Sequence, residues 1–214
     1  MGVPIKVKGK TYRPYAEMGV APGGLFPGKV EDRGFLSPKK KVISLKKSYG
    51  AYLALGGRNV LLIIDAPAAS PGTPAWDFIR KVAAQLEAAY PKLDADARDA
   101  LAKLDAVIFA ASPSRSFAQV EKATFFSDTD EFQRADRSWI TPAYSASCIV
   151  HDANHVRIHR RGGKHWGEEA EIACWKVQVA NSDALGLADY EVAFLEDLIA
   201  HPEKARTRME ESPF

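Results

Sequence analysis

The sequence predicts an α+β fold: a small mixed or antiparallel sheet with covering helices and a helical carboxy-terminal block. Three observations predict it. Short apolar runs of β-forming residues fill the first half of the 214-residue chain. Two segments of helical period follow the strongest of these runs, and the last third is helical throughout. Hydrophobic residues at 46% and charged residues at 26% are ordinary globular usage, which excludes global disorder.

The elements follow in chain order. Residues 5–8 and 11–13 alternate around Gly9-Lys10, which predicts a hairpin. Residues 18–38 hold Gly19, Pro22, Gly23, Gly24, Pro27, Gly28, Gly34 and Pro38, the composition of a long loop. Residues 41–45 predict a strand. Residues 59–65 (NVLLIID) predict the central one, because the run is apolar on both faces. In 76–90 the apolar residues Phe78, Ile79, Val82, Ala83, Leu86 and Tyr90 form a helical stripe, ended by Pro91. Asp94 is placed to cap a second helix running to Leu104. Ala106–Ala110 predicts another strand, 112–117 a loop, and 123–126 a short strand leading into an acidic loop with Asp128, Asp130 and Glu131. Helices are expected over 143–160, opened by Pro142 and closed by Gly162-Gly163, over 166–180, and over 187–200 before Pro202.

Charge is uneven. Residues 1–60 carry 12 Lys/Arg against 3 Asp/Glu, a net of +9, whereas residues 161–214 carry −5. The organisation expected is a basic, loop-rich segment over 1–57 and an α+β domain over 58–214. A basic quarter of this kind suits nucleic acid or an acidic partner, or is a solvated face; the lysines of 39–47 also guard a short strand against edge pairing. No apolar run approaches the ~20 residues of a membrane span, and residues 1–20 lack the apolar core of a secretory signal. Two cysteines make no disulfide framework. The expected location is the cytoplasm, or export by a signal-peptide-independent machine, a setting that suits a toxin or effector.

Chemistry concentrates in residues 148–156 (CIVHDANHV). His151 and His155 stand four apart, so a helix places both imidazoles on one face, as two ligands of one metal ion require. Asp152 projects from a neighbouring direction, and His159 extends the face by a further turn. The turn around Gly162-Gly163 folds the next helix back on this one, where a carboxylate of its first two turns can complete a His₂Glu set, the ligands of a catalytic zinc.

This order resembles the zincin metallopeptidases of the gluzincin type, in which one helix carries HExxH and the following helix supplies a Glu. The tail Glu171-Ile172-Ala173-Cys174-Trp175-Lys176-Val177-Gln178 is similar to the E-x-x-A-aromatic-x-x-Q form of that helix in small bacterial zincin-like proteins, with Cys174 where that form has Ala. The resemblance covers about residues 140–180. It implies a zinc-dependent hydrolase, a peptidase acting on a peptide or protein substrate. One Zn2+ per chain is held by His151, His155 and Glu171, with Glu168 the alternative third ligand. Asp152 stands where the family has Glu and is one methylene shorter; it is the implied general base for a metal-activated water. An oxyanion donor is needed besides the metal; His159 and Tyr144 are the first candidates, with His165 and Tyr190 behind them. The family's substrate-binding edge strand is expected in Ala106–Ala110 or 123–126.

Two other readings stand beside this one: a zincin-like binding module without strong turnover, and a nucleic-acid-binding protein or nuclease acting through the basic quarter. Cys148 and Cys174 read as small buried hydrophobes, with an inter-helix disulfide or thiolate ligation as alternatives. Trp166 and Trp175 read as core. Arg157, Arg160 and Arg161 read as solvated charge at a helix carboxy-terminus. The chain has no G-x-S-x-G, no Walker loop and no EF-hand spacing.

Overall fold

The computed structural model of the chain describes residues 4–7, 10–17, 19–20, 30–32, 41–43, 48–111, 116–133 and 138–204. The architecture is α+β. The expected hairpin is present: β1 (Ile5–Val7) pairs antiparallel with β2 (Lys10–Tyr12). The stretch expected as one long loop contains β3 (Gly19–Val20) and β4 (Val30–Asp32), and β4 pairs with β5 (Lys41–Ile43) in a separate two-stranded sheet. The lysine pairs around 39–40 and 46–47 lie outside the described residues.

The main sheet has six strands in the order β3, β6 (Ser48–Leu55), β7 (Arg58–Asp65), β8 (Ala106–Ala110), β10 (Thr124–Asp128), β9 (Phe117–Gln119). β7 runs parallel to β8, and β8 parallel to β10; β6 and β9 run antiparallel to their neighbours. β7 lies inside the sheet with its last six residues buried, as its continuous apolar run predicts. β6 has no counterpart among the sequence expectations. Its SYGAYLAL lacks strict alternation and is rich in Gly and Ala, which carry little strand signal. The β6–β7 turn is Gly56-Gly57, both at positive φ (58° and 84°). A Cβ on Gly56 would sit 2.3 Å from the Tyr90 ring, and its positive φ already favours glycine. A boundary between residues 57 and 58 therefore falls inside a hairpin, and residues 48–55 belong to the same sheet as β7.

Between β7 and β8 come α1 (Pro74–Ala89) and α2 (Ala95–Leu101), the crossover that parallel strands need. Thr73 caps α1 by accepting from Trp76 N–H, and Asp94 caps α2 by accepting from Ala97 N–H. The acidic stretch after β10 is not a loop: β10 runs to Asp128, and α3 (Thr129–Gln133) starts at once. α4 (Pro142–Arg160), α5 (Glu168–Ala180), α6 (Ser182–Leu185) and α7 (Asp189–Ala200) complete the chain. Trp166 falls before α5 and is 56% exposed, not core; Lys164 lies over its ring at 4.4 Å. Trp175 is buried with Leu195 and Leu198 of α7.

The sheet is covered on both faces. On one, Leu62, Ile64, Val107, Phe109 and Phe125 pack against Ile79, Val82 and Leu86 of α1 and Ile149, Val150, Ala153 and Val156 of α4. On the other, Tyr52, Leu61, Ile63, Ile108 and Phe126 pack with Tyr12 of the β1–β2 hairpin. The edge strand beside α4 is β9, antiparallel to β10. This corrects the expectation of Ala106–Ala110 or 123–126 for that role: both lie inside the sheet, because the three-residue β9 pairs outside them. Among the described residues no helix is long and apolar enough to cross a membrane.

Candidate metal centre

α4 positions the site. Thr141 caps it, accepting from Tyr144 N–H at 3.0 Å, and Pro142 occupies the first turn, where no N–H is needed. Gly162 at φ 77° ends the helix, and Gly163 N–H donates to Ile158 C=O. The apolar stripe Ile149, Val150, Ala153 and Val156 is claimed by the sheet. That leaves Ser147, His151, Asn154 and His155 to meet α5, which returns antiparallel: Ser147 bonds Gln178, His151 bonds Glu171 and Gln178, and Asn154 bonds Cys174.

The two imidazoles converge. His151 Nε2 and His155 Nε2 stand 3.1 Å apart. The Glu171 carboxylate lies against both, at 3.1 Å from His151 Nε2 and 3.4 Å from His155 Nε2. Of the two acidic candidates Glu171 is the one that reaches the imidazoles, while Glu168 is exposed in the first turn of α5. Cys174 Sγ joins the group: it and the two imidazoles offer ligand atoms all within 4.8 Å of one another.

The other nitrogen of each ring is committed. His155 Nδ1 donates to the His165 carbonyl at 2.8 Å, a partner that can only accept. His151 Nδ1 donates to Gln178 Oε1 at 2.8 Å. Gln178 is held in that orientation because its Nε2 donates to Ser147 Oγ, which in turn donates to the Tyr144 carbonyl. In the neutral rings, with the proton kept on Nδ1, both Nε2 lone pairs face one point; in the protonated rings each Nε2–H instead faces the Glu171 carboxylate. Metal-ligating histidines are held in the same way, each donating its other ring N–H to a neighbouring acceptor.

Burial pushes both imidazoles toward the neutral form. The Cys174 sulfur and the Glu171 carboxylate more than offset it, and hold both above the ordinary histidine value, His155 at about 11. Burial likewise opposes ionisation of Glu171, but its bonds to His151 and His155 hold its carboxyl well below the usual range. A cluster of this charge and geometry could hold a cation, either a shared proton or a metal.

The donor set fits zinc. Two nitrogens each ~2.0–2.1 Å from a tetrahedral ion stand about 3.3 Å apart, within a few tenths of the spacing here. Imidazole, carboxylate and thiolate are all zinc ligands.

The remaining predicted residues are placed as follows. Asp152 follows His151 on α4 and is half-buried. Tyr144 lies seven residues before His151, about 10 Å along the helix axis, and its ring packs with Trp139 and Phe194. His159 packs edge-on to His165, their centroids 4.7 Å apart. Tyr190 donates its hydroxyl to the Trp139 carbonyl. Arg157 departs from the expected solvated charge: it is buried and pairs with Asp96 of α2. Arg160 and Arg161 are exposed at the end of α4, as expected, and pair there with Asp105 and Asp99. Cys148 and Cys174 are not bonded to each other.

Sequence reasoning gave no role to Gln178, Asn154 or the His165 carbonyl. A signal for the first two was present. Ser147, His151, Asn154 and His155 follow i, i+4, i+7, i+8 on a helix otherwise apolar toward the core, and Glu171, Cys174 and Gln178 follow i, i+3, i+7 on the next. Comparison with protein families, with curated proteins and with solved structures returns no match.

Proposed function

We propose that this protein is a zinc-dependent hydrolase, a peptidase of zincin type, with its metal held by His151, His155 and Glu171. One observation carries the metal centre: two Nε2 atoms facing each other at 3.1 Å while each Nδ1 is engaged by its own acceptor. The activity rests on the H-D-x-x-H order on α4, the carboxylate supplied from α5, and the antiparallel edge strand β9 packed beside α4. The outer edge of β9 has no partner strand among the described residues, which suits a peptide bound by its backbone.

Zinc bound at such a centre supplies Lewis acidity toward a scissile carbonyl. The chain supplies the rest. Gln178 and the His165 carbonyl fix the imidazole tautomers, so both rings present a lone pair. Asp152 is the general base that takes the proton of the attacking water and returns it to the leaving amine. The test is turnover of a casein or peptide library by zinc-loaded protein. Asp152→Asn should lower the rate at least ~100-fold with zinc content unchanged. Equal rates for the two proteins would overturn the assignment of Asp152. A second reading, a zinc-binding module without turnover, draws on the shorter carboxylate of Asp152 where the family has Glu. Full zinc occupancy with no hydrolysis, even in Asp152→Glu, would establish that reading instead.

A further inference from the structure

Cys174 is fully buried in the core, yet its sulfur accepts a hydrogen bond. Asn154 Nδ2 donates to Cys174 Sγ at 3.3 Å. That donation is enforced from behind: Arg157 Nε donates to Asn154 Oδ1 at 2.8 Å, which fixes the amide so that its NH₂ faces the sulfur. Arg157 is itself anchored by Asp96 at the start of α2. The sulfur thus occupies an acceptor position, the role a thiolate fills and a thiol fills poorly. It does so with a ligand nitrogen of each imidazole within 4.8 Å.

We infer that Cys174 is a metal ligand of this centre, a buried thiolate donor one turn along α5 from the more exposed Glu171. The inference rests on the zinc centre proposed above and goes beyond its His₂Glu set. Asn154 is then a positioning residue: it touches the ligand sulfur and holds it in place, with Arg157 and Asp96 behind it. A thiolate in the set selects zinc or cobalt over magnesium, calcium or manganese, whose ligands are oxygen. The side-chain exposures order the ligands, with Glu171 at 31% against His151 at 12% and His155 at 8%. Glu171 is accordingly the ligand that solvent or substrate reaches first.

Cobalt(II) substitution of the full chain tests this without relying on activity. Cobalt stoichiometry and the visible ligand-field bands report the centre; an intense near-ultraviolet thiolate-to-cobalt band reports sulfur ligation. The expected result is about one cobalt per chain with both signatures. The near-ultraviolet band should persist in Cys148→Ser, which leaves Cys174 as the only cysteine, and vanish in Cys174→Ser while ligand-field bands remain. Cobalt bound without the thiolate band, or a band lost in Cys148→Ser, would overturn Cys174 as ligand and leave the centre standing. No cobalt uptake by the unaltered chain would overturn the centre as well. Because the band in Cys148→Ser is decisive by itself, the result does not depend on Cys174→Ser folding. Against Mg2+, cobalt uptake should be undiminished by a ~100-fold excess of the competitor.

Discussion

At the scale of single residues, the proposed centre rests on groups that would touch no metal. Gln178 holds the His151 proton on Nδ1 through a 2.8 Å bond and is itself held by Ser147. Gln178→Leu preserves bulk but removes that acceptor. Zinc affinity, measured by competition with a chromophoric chelator, should fall about 10–100-fold; an unchanged affinity would mean the tautomer is set otherwise. Protons compete at the same atoms. In the metal-free chain Cys174 and Glu171 hold both imidazoles above their ordinary value against the pull of burial, His155 at about 11. A metal takes the neutral ring, so binding displaces those protons, and raising the pH removes the competition. Zinc affinity should rise with pH between about 6 and 8, by about tenfold per unit for each proton displaced. A flat profile would contradict the placement of the ligands. The His151–His155 spacing was legible in the sequence, because a four-residue interval on a helix fixes it; the returning helix offered Glu168 and Glu171, and only the resemblance favoured Glu171. The orientation of Cys174 was not legible: a small apolar role is its commoner use, and only the Asn154–Arg157–Asp96 chain distinguishes the two.

At the scale of elements, α4 carries the account, and its start is a joint. Thr141 Oγ1 accepts from Tyr144 N–H and donates to Glu191 Oε1 at 2.7 Å, while Glu191, fully buried on α7, also accepts from Ala188 N–H. Thr141→Ala removes a helix cap and one donor to a buried carboxylate. Together these should cost about 2 kcal/mol in urea unfolding, with Thr141→Ser close to neutral. A loss under about 0.5 kcal/mol would show that the cap and the carboxylate find other partners. Periodicity exposed the long helices and β7 because each keeps one pattern over two turns or more. It missed β6, whose Gly and Ala residues carry little strand signal, and β9, whose three residues are too few for any pattern. Both belong to the sheet by pairing with neighbours, which is a property of the assembled fold rather than of the segment.

At the scale of the whole molecule, α4 covers part of one face of the mixed sheet, lies beside its edge strand β9, and carries α5 on its other side. The fold class was legible because strand-like and helix-like segments are separated along the chain. The division at residue 57 was drawn from charge and loop composition, and these are blind to the β6–β7 hairpin that crosses it. The claim on which everything else stands is that the His151–His155 pair is a metal site rather than a proton-sharing cluster. Metal content by mass spectrometry, on untagged protein beside a His151→Ala/His155→Ala double variant, tests it most directly. The account predicts about one zinc per chain in the native protein and none in the double variant. A native protein that carries no metal after incubation with zinc, or a double variant that retains it, would contradict the account.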